Sequence, residues 1–226
     1  MAGFHARIRR ATGKNVDHLF ASSLPERFSA IYRNRVWLND RRSGSLSGEG
    51  SELQHTTSVR QRLPEVLKSI GTRTLLDAGC GDFNWMKEVQ LPCKYIGVDI
   101  VPEVIEANLA RYSSSERTFQ LMDLTKDPLP AVDTVLCREV LFHLSFRDIW
   151  RVIENLHNSG ASFLITTSDP GLVLNADILS GDFRLLNLRK APFLFPPPVS
   201  SIPDGDVASG RILGVWEVGI LPRKQL

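Results

Sequence analysis

The chain has 226 residues, of which 42% are apolar and 23% charged, and its formal net charge is +2. These proportions belong to an ordinary folded globule and exclude a disordered or collagen-like chain. The length suits one domain, or one domain with a small appendage.

The charge is unevenly spread. Residues 1–42 hold nine Lys/Arg against three Asp/Glu, a local charge of +6, which leaves −4 for the remainder. Such an arm either meets an anionic surface or is simply solvated. Its opening "MAGFHARIRRATGK" lacks the apolar segment of a secretory signal, and no apolar run reaches the length of a bilayer span. Cys80, Cys93 and Cys137 are odd in number and form no C-x-x-C pair. Neither a disulfide framework nor a zinc site is expected, and the expected compartment is a reducing, cytoplasmic one.

In chain order, "LPERFSAIYRNRVWL" (24–38) spaces Leu24, Phe28, Ile31, Tyr32 and Val36 as a helix does, with Pro25 in its first turn. "RRSGSLSGEGSEL" (41–53) is a Gly/Ser loop, either a linker or a flap. "SVRQRLPEVLKSI" (58–70) reads as a helix that stops at Gly71. An alternation follows. Strands are predicted at 73–79, 94–100, 117–124, 131–140 and 162–168. A helix-forming piece is predicted at 84–89, with helices at 102–112 and from Phe146 to Gly160, the last capped by Ser145. Strands alternating with helices imply a parallel sheet covered on both faces. Beyond it, 182–188 and 211–221 read as β, which predicts an antiparallel edge pair joined by a proline- and glycine-rich connection.

"TLLDAGCGDFNWM" (74–86) carries the chemistry. A strand ends on Asp77, and Gly79 and Gly81 flank Cys80. Glycines let a ligand approach the backbone closely. The third position of a dinucleotide G-x-G-x-x-G would be Asn84, so a dehydrogenase fingerprint is incomplete. An acid beside the loop would repel a pyrophosphate but accept an ammonium, so an amino-acid moiety fits. "YIGVDI" ends in Asp99, 22 residues after Asp77, a spacing that suits two ribose hydroxyls. "LMDL" places Asp123 toward an adenine amino group, with Met122 and Leu124 beside the ring. Amino acid, ribose and adenine in that order describe S-adenosyl-L-methionine (SAM). Each residue also has a plainer role: turn glycines, Asp99 as a helix cap before Pro102, Asp123 as a strand end, Phe83 and Trp85 as core, Cys80 and Cys137 as small buried hydrophobes.

Over about residues 70–170 the chain resembles class I SAM-dependent methyltransferases. "LLDAGCGDFNW", "YIGVDI", "LMDL" and "VDTVLCREVLFHL" stand in the order and spacing of that family's motifs. The resemblance implies an α/β fold with a doubly wound, mostly parallel sheet and a C-terminal antiparallel β-hairpin. It also implies a SAM-binding, Rossmann-like catalytic domain at 58–226, preceded by a basic helical arm and lid at 1–57. The cofactor contacts it implies are Asp77, Gly79, Cys80, Gly81, Asn84, Trp85, Asp99, Ile100, Asp123 and Leu124, with Arg138 and, toward the carboxylate, Arg60.

The segment after the fourth strand should face the methyl group. Methyl transfer from a sulfonium chiefly needs alignment, and needs a base only if the acceptor loses a proton on the path. Glu139 can orient or deprotonate the acceptor, and His143 has a base's ordinary pKa or is a buttress. Arg138 either grips an anionic acceptor or forms an ion pair. Tyr32, Trp37 and the Gly/Ser loop are the expected lid. Asn187, Pro192 and Phe193 are the expected opposite wall, or plain core closure. The leading expectation is methylation of oxygen, or of nitrogen, on a small molecule or sugar. No metal or nucleic-acid partner is expected. The alternatives are a protein or RNA methyltransferase and a non-catalytic SAM binder.

Overall fold

The computed structural model describes residues 16–38, 44–205 and 210–224. Residues 1–15 of the basic arm, which include "MAGFHARIRRATGK", and residues 39–42 therefore lie outside the described residues. Five parallel strands carry the sheet: β1 (Thr74–Ala78), β2 (Lys94–Asp99), β3 (Arg117–Leu121), β4 (Thr134–Cys137) and β5 (Phe163–Ser168). Two more, β6 (Ser200–Pro203) and β7 (Ile212–Glu217), complete the order β3-β2-β1-β4-β5-β7-β6. Only β7 runs against the others.

Successive strand residues face opposite sides, and in β1 both Leu75 and Leu76 are fully buried. A strand buried on both faces must be covered twice. Leu76 joins a core with Val98, Val135 and Leu164, roofed by α1 (Leu24–Arg33) and α4 (Phe146–Asn158). Leu75 joins a second core with Tyr95, Leu136 and Ile165, beneath α2 (Thr57–Ser69). The helix α3 (Pro102–Tyr112) contributes Val104 to the first core and Ile105 to the second. Phe28 and Ile31 of α1 sit in the first core, so the described part of 1–57 is packed into the sheet layer rather than standing apart from it. Ser23 caps α1 through a reciprocal pair with Glu26, and Ser145 caps α4 as expected.

Two expectations are corrected. The segment 182–188 alternates as a strand does, with Leu186 and Leu188 buried and Phe183 and Leu185 exposed, yet it forms no strand. Its backbone bonds go elsewhere: Leu186 N donates to a carboxylate oxygen of Asp169 (2.9 Å) and Leu188 N to the hydroxyl of Ser168 (3.1 Å). The hairpin partner of β7 lies instead inside the proline-rich stretch, where Ile202 opposes Leu213. Pro203 is tolerated there because β6 is an edge strand. The predicted fourth strand, 131–140, shrinks to four residues, since Glu139 adopts φ +57° and ends the extended run.

Asn187 and Phe193 build core closure and Pro192 is exposed; none of the three lines the cleft. Phe193 is fully buried against Phe146 (5.2 Å between ring centroids) and Trp150 (5.4 Å). Asn187 donates to the carbonyls of Pro170 (3.1 Å) and Leu172 (2.8 Å). Phe193→Ala should therefore destabilise the fold by about 3–5 kcal/mol, read from the midpoint of urea denaturation, while leaving the geometry of the cleft intact.

Candidate active site

The sheet reverses its winding between β1 and β4, and a crevice opens there beyond the carboxyl ends of the strands. The residues around it enclose about 930 Å³ of space, the solvent-facing mouth included.

The turn after β1 forms its floor. The Gly79 and Cys80 amides both donate to the carbonyl of Val98 (2.8 and 2.9 Å), folding the turn over β2. Gly79 (φ +85°) and Gly81 (φ +56°) hold left-handed conformations. They are also crowded. A Cβ on Gly79 would lie 2.3 Å from a methyl of Val140, and one on Gly81 would lie 2.3 Å from the hydroxyl of Ser47. Asp99 accepts the Gly81 N–H on one oxygen and the Val101 N–H on the other, each at 3.0 Å. It makes no side-chain cap for α3, so its plainer reading falls away. One peptide further on, Asn108 of α3 donates to the Gly81 carbonyl (2.8 Å).

Three carboxylates line the cleft, at or just beyond the ends of β1, β2 and β3. Asp77 accepts from the Tyr95 hydroxyl (2.7 Å). Burial pushes its pKa up to about 7, with that hydrogen bond pulling the other way. Burial likewise pushes Asp99 up to about 6, against the backbone N–H groups that favour its ionised form. Asp123 accepts from the amide (2.9 Å) and hydroxyl (2.7 Å) of Thr125 and has the Lys126 ammonium 3.2 Å away. Two buried acids held above their ordinary pKa are poised to gain from a cationic ligand. The glycine cradle leaves room for its backbone-hugging end.

Cys80, Trp85, Ile100 and Leu124 also line the cleft. Burial raises the thiols of Cys80 and Cys137, the latter to about 12, so both sit as protonated, buried groups. Phe83, the other aromatic of the motif, is core: it packs among Tyr95, Tyr112 and Phe119. Asn84 and Arg60 do not line the cleft. Asn84 donates to the Ser51 carbonyl (3.0 Å), and Arg60 donates to the Leu53 carbonyl (3.1 Å) and the Thr56 hydroxyl (3.3 Å). Both brace the approach to the loop instead of facing a ligand.

At the end of β4, Arg138 pairs with Asp204 through two of its nitrogens (2.9 and 2.8 Å), fully enclosed above the Trp85 ring. The ion pair expected of Arg138 is thus buried rather than at the surface, and Arg138 also lines the cleft. Glu139 is held by Arg211 (3.1 Å) and lies 3.7 Å from Arg138. Its own amide donates to the Thr167 hydroxyl (2.9 Å). His143 stacks on Trp37, with centroids 4.8 Å apart and planes at 27°. Its Nδ1 lies 2.8 Å from the Asp182 carbonyl. A carbonyl only accepts, so the neutral ring carries its proton on Nδ1 and leaves Nε2 basic. Burial lowers its pKa to about 4.

The Gly/Ser loop lines the mouth through Ser47 and Ser51. Asp82 accepts from the Ser45 hydroxyl (3.0 Å), the Leu46 amide (2.6 Å) and the Ser47 hydroxyl (3.0 Å). The Asp82 amide returns a bond to Ser47 (2.9 Å), whose hydroxyl also meets that of Tyr32 (2.8 Å). Gly50 packs so tightly on the Glu139 carboxylate that no Cβ fits. Sequence reasoning passed over Asp82, Ser47, Asn108 and Asp204. Only Asp82 had a signal, an acid directly after the glycine turn; Asp204 meets Arg138 across 66 residues of sequence. Asp82→Ala should free the loop. The Leu46 amide is then expected to exchange with solvent at least tenfold faster, by hydrogen exchange, with no change in the strand amides.

Residues 76–160 match the family model described as "Methyltransferase domain". A search of curated proteins finds no significant match. Among solved structures, human N-acetylserotonin methyltransferase in complex with SAM aligns at a TM-score of 0.54 and 19% identity, covering 99% of this chain and 67% of that one. The methyltransferase domain of bacterial CtHen1 aligns at 0.50 and 16% identity, covering 72% of this chain and 99% of that one. Both are similar in fold. The family match thus falls on the glycine turn and on β2, β3 and β4, and the sheet around them has the fold of these two methyltransferase structures.

Proposed function

We propose that the protein transfers a methyl group from SAM to an oxygen, or else a nitrogen, of a small-molecule acceptor such as a hydroxylated compound or sugar. The observation that carries this reading is the convergence of Asp77, Asp99 and Asp123 on one cleft that ends at His143. Bound SAM supplies a methyl already activated by its sulfonium, so the protein's task is alignment. Asp77 is assigned to the ammonium, Asp99 to the ribose hydroxyls through the lone pairs its two backbone bonds leave over, and Asp123 to the adenine amino group. Nε2 of His143 takes the proton of an acceptor hydroxyl as the bond to carbon forms, while the Asp182 carbonyl steadies the imidazolium. Glu139 orients the acceptor. Arg138 is scaffold: it keeps β4 and the Asp204 loop together behind Glu139.

A small acceptor is supported by the loop 44–51, which lines the mouth and touches Glu139. The fold neighbour named for N-acetylserotonin also acts on a small molecule. A nucleic-acid acceptor is not part of this proposal. Among the described residues no helix is long and apolar enough to cross a membrane, and no cluster of metal-ligating side chains occurs. We assign the protein to the cytoplasm on its three free thiols.

Three measurements test the reading. Asp99→Ala removes the acceptor for the ribose and unpins Gly81, so calorimetric SAM affinity should fall more than a hundredfold, about 3 kcal/mol. Wild-type protein that ignores millimolar SAM overturns the assignment outright. His143→Ala should leave SAM affinity within twofold and slow release of S-adenosylhomocysteine with a hydroxyl acceptor by about a hundredfold; full turnover removes the histidine as base. Affinity should also depend on pH. Asp77 must be ionised to meet an ammonium, and free Asp77 titrates at about 7. Below that pH a proton has to leave on binding, so SAM affinity drops as pH falls from about 7 to 5. Calorimetry in buffers of different ionisation enthalpy reads that proton directly.

A further inference from the structure

The His143 turn is gripped by a segment of chain that sequence reasoning had read as a strand. Residues 181–184, "GDFR", hold it at four points. Gly181 N donates to the His143 carbonyl (2.7 Å), and the Asp182 carbonyl accepts from His143 Nδ1 (2.8 Å). Arg184 N and Arg184 Nη1 both donate to the Phe142 carbonyl (3.2 and 2.8 Å). The Phe183 ring lies against Phe142 and His143, with centroids 5.2 and 5.8 Å away.

Arg184 is the unusual member. It is 8% exposed, and its guanidinium rests over the Phe146 ring, 5.2 Å from the centroid. Among the described residues no carboxylate lies within ion-pair distance of it, and its Nε and Nη2 have no hydrogen-bond partner. Arginines are almost never this deeply buried unless paired, and leaving charged donors unmet costs more than a neutral bond returns. Core packing alone is better served by an apolar side chain. What the guanidinium does hold is the turn that presents His143: its Nη1 also lies 3.4 Å from the Leu141 carbonyl.

We infer that Arg184 is a positioning residue for the transfer reaction, fixing the His143 turn and keeping the imidazole unprotonated through its positive charge. This rests on His143 being the base, but the electrostatic part stands independently of it. The charged groups facing His143 are Arg184 and Arg211, which oppose its protonation, and Asp182, which favours it; burial is the largest influence and also opposes it. A neighbouring positive charge in a partly buried site is worth about one pH unit.

The test separates charge from packing, using the full-length protein. Arg184→Gln keeps an N–H donor for the Phe142 carbonyl and removes the charge. Arg184→Lys keeps the charge on a different head group. Titration of ¹⁵N-labelled histidine by NMR, with the His143 signal identified by its loss in His143→Gln, reads the imidazole without any acceptor. The expected result is an upward shift of about one pH unit in Arg184→Gln and a shift under about 0.3 in Arg184→Lys. Equal shifts in both, or none in either, overturn the inference, and so does failure of both variants to fold, since Arg184 would then be core support. An unchanged turnover in His143→Ala would remove the base while leaving these titrations as they are, so the two failures are distinguishable.

Discussion

Everything in the cleft depends on one carboxylate bracing two backbone amides. Asp99, the last residue of β2, holds the Gly81 N–H on one oxygen and the Val101 N–H on the other. That double bond to backbone fixes the turn leaving β1 relative to the start of α3, and Asn108 locks the Gly81 carbonyl from the opposite side. The arrangement works because both glycines accept left-handed dihedrals and lack a Cβ. A side chain at either would strike Val140 or Ser47. Rigid placement of the loop comes from polar bonds in a desolvated site, where each bond is stronger than in water and each unmet one more costly.

The same economy shapes the acceptor end. Arg138, Asp204, Glu139, Arg211 and Asp169 form a continuous chain of ion pairs behind the cleft. Buried pairs of this kind add little net stability against an apolar replacement, because desolvation offsets attraction. Their effect is geometric. They hold Glu139 in an unusual backbone conformation and tie the loop around Asp204 to the end of β4. Strain at that position is the sort that persists only where neighbours over-determine it. The Gly/Ser loop packs on this wall: Asp82 gathers it, and Gly50 sits on Glu139.

His143 shows how tertiary contacts change a residue's chemistry. As an isolated side chain it would titrate near neutrality. Buried beside Trp37, it is neutral far below that, even though its bond to the Asp182 carbonyl favours the protonated form. Asp77 and Asp99 move the opposite way, toward holding a proton at neutral pH. Acids pushed up and a base pushed down within one cleft have a common cause, the cost of burying charge, and a cationic ligand relieves the acids while leaving the base untouched.

The parallel layer was legible from sequence because its signals are local. β1 reads from two adjacent buried leucines, the turn from its glycines, α1 from apolar spacing with Pro25 in its first turn, and α4 from its serine cap. The acids at the strand ends were legible for the same reason, since a strand that stops on an acid places it at the mouth of the sheet. Arg138's partner was not legible, because Asp204 lies in a loop whose only local signal is that it turns. Nor was the displacement of the hairpin strand from 182–188 to Ser200–Pro203. The alternation at 182–188 satisfies a strand's burial pattern equally well, and only the competition for backbone partners decided against it, with Asp169, Ser168 and Phe142 winning. Periodicity along the chain thus determined which residues face inward. Which polar group each of them meets was decided in three dimensions, because hydrogen bonds and ion pairs join residues by distance in space rather than by separation in sequence.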